Sequence, residues 1–109
     1  MTEAEESKTE LHPLADINRV VHGPARLMVL TSLYVVDRAD FVFLVRLTGL
    51  TWGNLSSHLG KLEEAGYINI KKKIIGKRVN TMVSMTGAGR AAFKAYKHQM
   101  QQALDDLPD

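Results

Sequence analysis

The chain has 109 residues, of which 45% are hydrophobic and 24% charged, and its formal net charge is only +2. This length predicts a single core rather than a large multidomain enzyme, and the lack of cysteine excludes disulfides, thiolate nucleophiles and cysteine-built metal sites. Because no apolar run approaches the roughly 18 residues of a membrane span and residues 1–10 lack a secretory-signal pattern, we expect a cytoplasmic protein without a membrane segment.

The beginning and the end of the chain differ from its middle. Residues 1–12 are polar and acidic, and we predict a flexible tail there. Residues 13–104 have the periodicity of one folded domain, and residues 105–109 form an acidic end. Within the domain, the spacing of Leu14, Ile17 and the two valines after them predicts a short first helix that Gly23 ends.

Two more helices are predicted before residue 50. Pro24 is suited to the first turn of a helix whose broad apolar face indicates burial. We interpret residues 37–40 as a polar break. Asp40 is suited to cap a short helix, Phe41–Leu47, that Gly49 ends.

The fourth predicted helix is amphipathic. It is capped by Thr51, runs from Trp52 to about Ala65 and is followed by Gly66 in a left-handed conformation. Its apolar stripe consists of Leu55, Leu59 and Leu62, and its other sides are polar.

A hairpin and a last helix complete the predicted domain. Residues 67–71 and 79–85 alternate apolar and polar side chains on either side of a turn at Gly76–Lys77, which predicts two antiparallel strands. Thr86 is suited to cap a helix that continues to about Leu104. The sequence therefore predicts an α+β, mainly α fold with a two-stranded hairpin and a C-terminal helix.

Positive charge is concentrated in the second half of this domain. Residues 1–10 and 105–109 each carry a net −3, whereas residues 11–104 carry 13 basic against five acidic side chains. Nine of the basic side chains and two of the acidic ones fall within residues 61–97. This excess is typical of a surface that binds a polyanion, and a solvated basic surface is the alternative.

The third and fourth predicted helices, joined by a glycine-containing turn at residues 48–51, form the skeleton of a helix-turn-helix. The second helix of that motif enters the DNA major groove, so it must be apolar inward and polar outward. Asn54 offers the bidentate pairing with adenine that such a helix uses. Gly53 and Gly60 each cost helix stability, which indicates a close approach to DNA or, at Gly60, tight packing against another helix.

Three stretches carry a family resemblance. Residues 49–68 (GLTWGNLSSHLGKLEEAGYI) resemble the signature of winged-helix transcriptional regulators of the compact archaeal and bacterial MarR/ArsR-like group. Residues 20–27 (VVHGPARL) resemble the start of that group's preceding helix, and residues 85–92 (MTGAGRAA) resemble its last helix start. The resemblance spans about residues 16 to 100.

This resemblance implies a homodimeric, sequence-specific regulator that binds double-stranded DNA. It places the recognition helix in the major groove and a basic hairpin, the wing, on the flanking backbone or minor groove. The recognition-helix candidates are Thr51, Trp52, Asn54, Ser56, Ser57, His58 and Lys61. The wing candidates are Lys71, Lys72, Lys73, Lys77, Arg78, Asn80 and Thr81. Terminal helices join the dimers of such proteins, and the candidates for this interface are Leu14, Ile17, Phe93, Tyr96 and Met100.

Alternatives stay open at several of these positions. Trp52 is suited either to packing or to DNA contact, and His58 either to a phosphate contact or to the boundary of the apolar stripe. The hairpin and helices also suit a module for protein or RNA contact without operator specificity. The sequence lacks a phosphate loop, a nucleophile elbow and a metal motif, so we expect no enzyme, no cofactor and no metal ion, and it specifies no small-molecule effector.

Overall fold

A computed structural model describes residues 12–109. The predicted tail therefore lies, apart from His12, outside the described residues. The elements are α1 (Pro24–Val36), β1 (Arg38–Asp40), α2 (Phe41–Thr48), α3 (Trp52–Glu64), β2 (Ile68–Ile75), β3 (Arg78–Met85) and α4 (Gly87–Asp105). The four helices from residue 24 onward and the hairpin confirm the predicted mainly helical α+β fold.

The predicted short helix over residues 14–21 is wrong. These residues form turns instead, and the Asn18 side chain supplies the reason: its Oδ1 accepts hydrogen bonds from the backbone N–H groups of Val20 and Val21, at 3.0 and 3.1 Å. An asparagine side chain that binds the following backbone competes with helical hydrogen bonding. The other end of the same amide donates to the Tyr67 hydroxyl at 2.9 Å, which ties this segment to the start of the hairpin.

The sheet has a third strand that the sequence did not predict. Residues 38–40, interpreted from the sequence as a polar break, form β1 and pair with β3, so the antiparallel order is β1-β3-β2. Arg38 lies opposite Ser84 and Asp40 lies opposite Met82. A strand of three residues is too short to show alternation, and its partner lies more than 40 residues away, so the local sequence carries no signal for it.

The core is apolar, and all four helices and the sheet contribute side chains to it. The leucine stripe of α3 meets buried residues of α1, α2 and the sheet. The fully buried side chains are Val21, Val29, Leu30, Leu33, Leu44, Leu55, Leu59, Leu62, Ile68 and Val83. Because all three leucines of α3 are at most 1% exposed, this helix is fixed along its whole length.

The start of α4 is seated against the loop that leads into the hairpin. Thr86 caps the helix, as predicted: its Oγ1 accepts from the Gly89 N–H at 2.9 Å and donates to the Gly66 carbonyl at 2.7 Å. A Cβ at Gly89 would collide with the Tyr67 carbonyl group, whose carbon atom would lie only 2.9 Å away. Arg90 then ties α4 to the end of α1, through an ion pair with Asp37 and a hydrogen bond to the Tyr34 carbonyl at 3.1 Å.

Candidate nucleic-acid interface

The α3 helix presents its polar side chains to solvent while its leucines anchor it. The Thr51 Oγ1 accepts from the Asn54 N–H at 3.1 Å, which confirms the predicted cap and fixes where the helix begins. Six of the seven recognition-helix candidates are exposed, and His58 is half-buried. Glu64 lies near the end of the same helix, and its carboxylate is 3.9 Å from the Lys61 Nζ.

The structure leaves both of the sequence's interpretations of Trp52 and His58 open. The Trp52 ring stacks on Phe41, with 4.6 Å between centroids, yet 59% of this residue remains exposed. The His58 Nδ1 accepts from the Arg26 Nε at 3.2 Å. Both side chains are therefore held in place by a neighbour and keep surface available for a ligand.

The glycines of α3 leave its outer surface bare. Among residues 12–109, a Cβ built at Gly53 or at Gly60 would meet nothing within 4 Å. Tight packing of Gly60 against another helix of this range, one explanation for the glycine, is therefore wrong. Close approach of an external molecule is the explanation that stays open.

The wing candidates divide between the two faces of the hairpin. Lys72 lies opposite Thr81 in the register, and these two side chains line a cleft of about 320 Å³ together with Ser56 and Gly60 of α3. Because side chains alternate along a strand, the neighbours of Lys72 point to the other face. That opposite face carries Lys71, Lys73, Arg78 and Asn80, whereas Lys77 lies in the turn.

The fold and this arrangement have counterparts among known proteins. Residues 25–104 match the family model of a winged helix DNA-binding domain. The uncharacterized protein MJ0432 of Methanocaldococcus jannaschii is 38% identical over 89 residues, which cover 82% of this chain and 97% of that protein. The chain belongs to the winged helix DNA-binding domain family.

Solved structures agree with that membership. A transcriptional regulator homologue from Pyrococcus horikoshii OT3 has a TM-score of 0.71 at 28% identity and covers 97% of this chain and 100% of its own. Overoxidized AbfR bound to DNA has a TM-score of 0.71 at 16% identity, covering 94% of this chain and 75% of its own. A MarR-family regulator from Silicibacter pomeroyi has a TM-score of 0.61 at 19% identity, covering 92% and 66%. The resemblance to winged-helix transcriptional regulators is confirmed.

The winged-helix domain has a second basic flank that sequence reasoning missed. On the side of α3 away from the wing, Arg19, His22, Arg26 and His58 line one cleft beside the start of α1. Arg26 is held there by its bond to His58 and by a hydrogen bond from its guanidinium to the Val20 carbonyl at 3.1 Å. Arg26 and His58 are 32 positions apart in the sequence, which hides this proximity, and only the family resemblance of residues 20–27 pointed to the segment.

The predicted dimer-interface residues have two different environments. Phe93 and Tyr96 are buried in the core of their own chain, where Phe93 packs on Tyr34 at 5.3 Å between centroids. The Tyr96 hydroxyl is hydrogen-bonded to the His22 Nδ1 at 2.8 Å, and burial raises the pKa of the Tyr96 phenol above its ordinary value. Leu14, Ile17 and Met100 are only half-buried, and of these Ile17 and Met100 pack against the edge of the same core.

The N-terminal segment and α4 meet at the predicted interface. The Gln99 side chain donates to the Pro13 carbonyl at 3.1 Å, which brings Leu14 close to the C-terminal half of the helix. Beyond Met100 the apolar stripe of α4 continues into exposed side chains, with Leu104 58% and Leu107 63% exposed. The apolar area offered by the ends of the chain therefore lies here rather than at Phe93 and Tyr96.

Two further observations concern residues 12–109. In this described part of the chain, His, Asp and Glu side chains form no group of three that could hold a metal ion. Within the same range, the helices are too short or too polar to cross a bilayer.

Proposed function

We propose that this protein is a sequence-specific transcriptional regulator that binds double-stranded DNA as a homodimer and carries out no catalysis. The α3 helix enters the major groove, and the wing lies on the flanking backbone or in the minor groove. The observation that carries this proposal is the placement of a polar, rigidly held α3 surface between two basic flanks.

The α3 surface suits base recognition. Asn54 and Ser57 are exposed on a helix whose opposite side is locked into the core, so their positions are fixed before DNA arrives. An asparagine amide pairs bidentately with adenine, and a serine hydroxyl bonds to bases or phosphates. Bare helix surface at Gly53 and Gly60 allows the backbone of α3 to approach the groove closely.

The two flanks suit phosphate binding. Lys72 borders α3 on the wing side, and Arg19 and Arg26 border it on the other. Residues 65–104 contain no aspartate or glutamate, so the wing and most of α4 are rich in positive charge, of which Arg90 is paired with Asp37. Lysine and arginine contacts to phosphates supply affinity and orientation, whereas base contacts supply specificity.

A dimer suits the exposed apolar stripe at the end of α4. Leu104 and Leu107, together with the half-buried Leu14, Ile17 and Met100, supply the surface on which a second copy would pack. The two α3 helices of such a dimer would reach half-sites about 34 to 36 Å apart, one turn of B-DNA.

Selection of bound fragments from random duplex DNA tests this function directly. We expect enrichment of a palindromic site with half-sites about 10 base pairs apart, bound by a dimer in sedimentation. If no sequence is enriched over competitor DNA, the operator-specific function is wrong, and the chain is instead a winged-helix module for protein or RNA contact.

A further inference from the structure

The far end of the wing is apolar although basic residues surround it. Ile74, Ile75 and Val79 are 79%, 62% and 64% exposed, on either side of the turn at Gly76. Exposed isoleucine and valine at the end of a hairpin are costly unless a partner covers them, because such an edge promotes aggregation. These residues therefore need an explanation that phosphate binding by the lysines does not provide.

Two of the three residues point toward the DNA-binding side. Ile74 lies opposite Val79 in the register, and this tip pair follows Lys72 and Thr81 on the same face of the hairpin. That face borders α3 at Lys72 and Thr81, and Val79 lines one cleft with Trp52. Ile75 lies opposite Arg78 on the other face of the register, although both of these residues also line the cleft of Val79 and Trp52.

The tip pair is separate from the hydrophobic core. Ile70 and Val83 belong to the core end of this face, but the polar pair Lys72 and Thr81 intervenes before Ile74 and Val79 are reached. Two residues along a strand advance about 7 Å, so the tip pair extends beyond Lys72 and Thr81 toward the end of the wing. It is thus an apolar surface apart from the core.

The charge around the tip pair selects that partner. Lys72, Lys73, Lys77 and Arg78 all lie within two residues of it along the chain, whereas one acidic residue, Asp40, lines a cleft together with Val79. An apolar pair within a basic cluster is complementary to a polyanion that also offers apolar surface. Duplex DNA meets both conditions, through its phosphates and through the sugar edges and base steps of the minor groove.

We infer that Ile74 and Val79 form a wedge that enters the minor groove beside the major groove occupied by α3, and that the wedge bends the duplex. The inference rests on the proposed function. Both side chains are β-branched and stiff, and isoleucine is among the apolar side chains that minor-groove proteins insert between base steps. Apolar wedges between base steps partly unstack them and kink the helix, whereas the lysines beside the pair hold the backbone on each side.

The test compares two variants of the full chain on the selected DNA site. Ile74→Thr combined with Val79→Thr keeps the β-branched shape and every charge but makes the wedge polar. Val35→Thr makes the same kind of change at an exposed valine of α1, outside the wing, and is the matched control. Affinity comes from fluorescence anisotropy, bending from energy transfer between dyes at the duplex ends, and assembly from sedimentation.

For the double variant we expect roughly tenfold weaker binding, a smaller bend and an unchanged salt dependence, because the wedge no longer offers apolar surface while the lysines still bind phosphates. Val35→Thr should bind and bend DNA like the wild type. Unchanged affinity and bend in the double variant, or an equal loss in Val35→Thr, would overturn the wedge.

Other outcomes separate this inference from its foundation. If the double variant is a monomer where the wild type is a dimer, Ile74 and Val79 form a contact between protein copies and the wedge is wrong. If the wild type binds and bends its selected site and the double variant does the same, only the wedge fails. If no site is selected at all, the proposed function itself fails.

Discussion

The two ends of the β2–β3 hairpin share one alternating pattern of side chains but differ in how far their apolar residues are exposed. At the base, Ile68 and Val83 are at most 1% exposed, and the Glu63 carboxylate at the end of α3 accepts from the Ile70 N–H at 3.1 Å. At the tip, Ile74 and Val79 are largely exposed. The base therefore fixes the hairpin relative to α3, and the tip is free to contact a ligand. Buried residues at the base thus decide where the exposed side chains of the hairpin lie relative to α3.

The largest expected effect comes from disturbing the base. The methyl group added by Gly89→Ala would overlap the Tyr67 carbonyl group. The oxygen of that carbonyl also accepts a hydrogen bond from the Thr86 N–H at 3.0 Å. Neither backbone can move freely, so we expect a loss of about 3 kcal/mol in the free energy of unfolding. Chemical denaturation measures it. Gly87→Ala, two residues earlier on the same helix with nothing within 4 Å, is the control and should be close to neutral. Equal stability of the two variants would show that the base is not tightly held.

The next effect concerns specificity and leaves the base intact. Asn54→Ala removes an exposed amide from α3, so folding stability should stay within about 0.5 kcal/mol of the wild type. Discrimination between the selected site and random DNA should fall by about 1–3 kcal/mol, because alanine cannot make the bidentate bond to a base. Competition binding on both DNAs measures it, and Gln102→Ala, an exposed amide of α4, is the control. An equal loss of affinity for both DNAs would contradict a role of Asn54 in base recognition.

A smaller effect separates the two faces of the wing. Lys72 borders α3 and Lys73 points to the opposite face, and both are exposed, so neither substitution should alter stability. Changing either lysine to Gln should weaken binding to all sequences alike and reduce the slope of log K against log salt by about 0.9 for each phosphate that is no longer bound. Titrations at several salt concentrations measure it. A change for Lys72→Gln alone would confine the interface to the face that borders α3, and no change for either would remove the lysines from it.

The sequence predicted the elements that local chemistry determines and missed those that distant residues determine. Three helices are capped as predicted, by Asp40, Thr51 and Thr86. Each of these side chains accepts a hydrogen bond from a backbone N–H only three residues further along the chain. The helix predicted over residues 14–21 failed because a single side chain, Asn18, offered the backbone a competing turn. β1 was missed because a three-residue strand has no periodicity of its own.

The same division applies to the candidate site. The exposed face of α3 follows from helical spacing, so its residues were predictable. Arg26 beside His58 brings together side chains 32 positions apart, and the separation of Lys72 from Lys73 depends on which face of the hairpin borders α3. The burial of Phe93 and Tyr96 within their own chain was not predictable. An apolar stripe on a helix does not reveal whether it packs on the core of its own chain or on a second copy.

The smallest predicted effect concerns Gly60, where a substitution should change folding stability and DNA affinity in opposite directions. Gly60 sits in the interior of α3, where glycine costs roughly 1 kcal/mol relative to alanine, and a Cβ there would meet nothing within 4 Å. Gly60→Ala should therefore raise the free energy of unfolding by up to about 1 kcal/mol, as denaturation would show. The added methyl group projects into the cleft that Lys72 borders, so the same variant should bind its DNA site more weakly. Gly87→Ala, outside that cleft, should leave DNA binding unchanged.

Opposite signs of the Gly60→Ala effects on stability and on affinity would show that α3 gives up stability for close approach to DNA. A gain in stability without a loss of affinity would place the DNA farther from α3 and leave the wing and the basic flanks as the contacting surfaces.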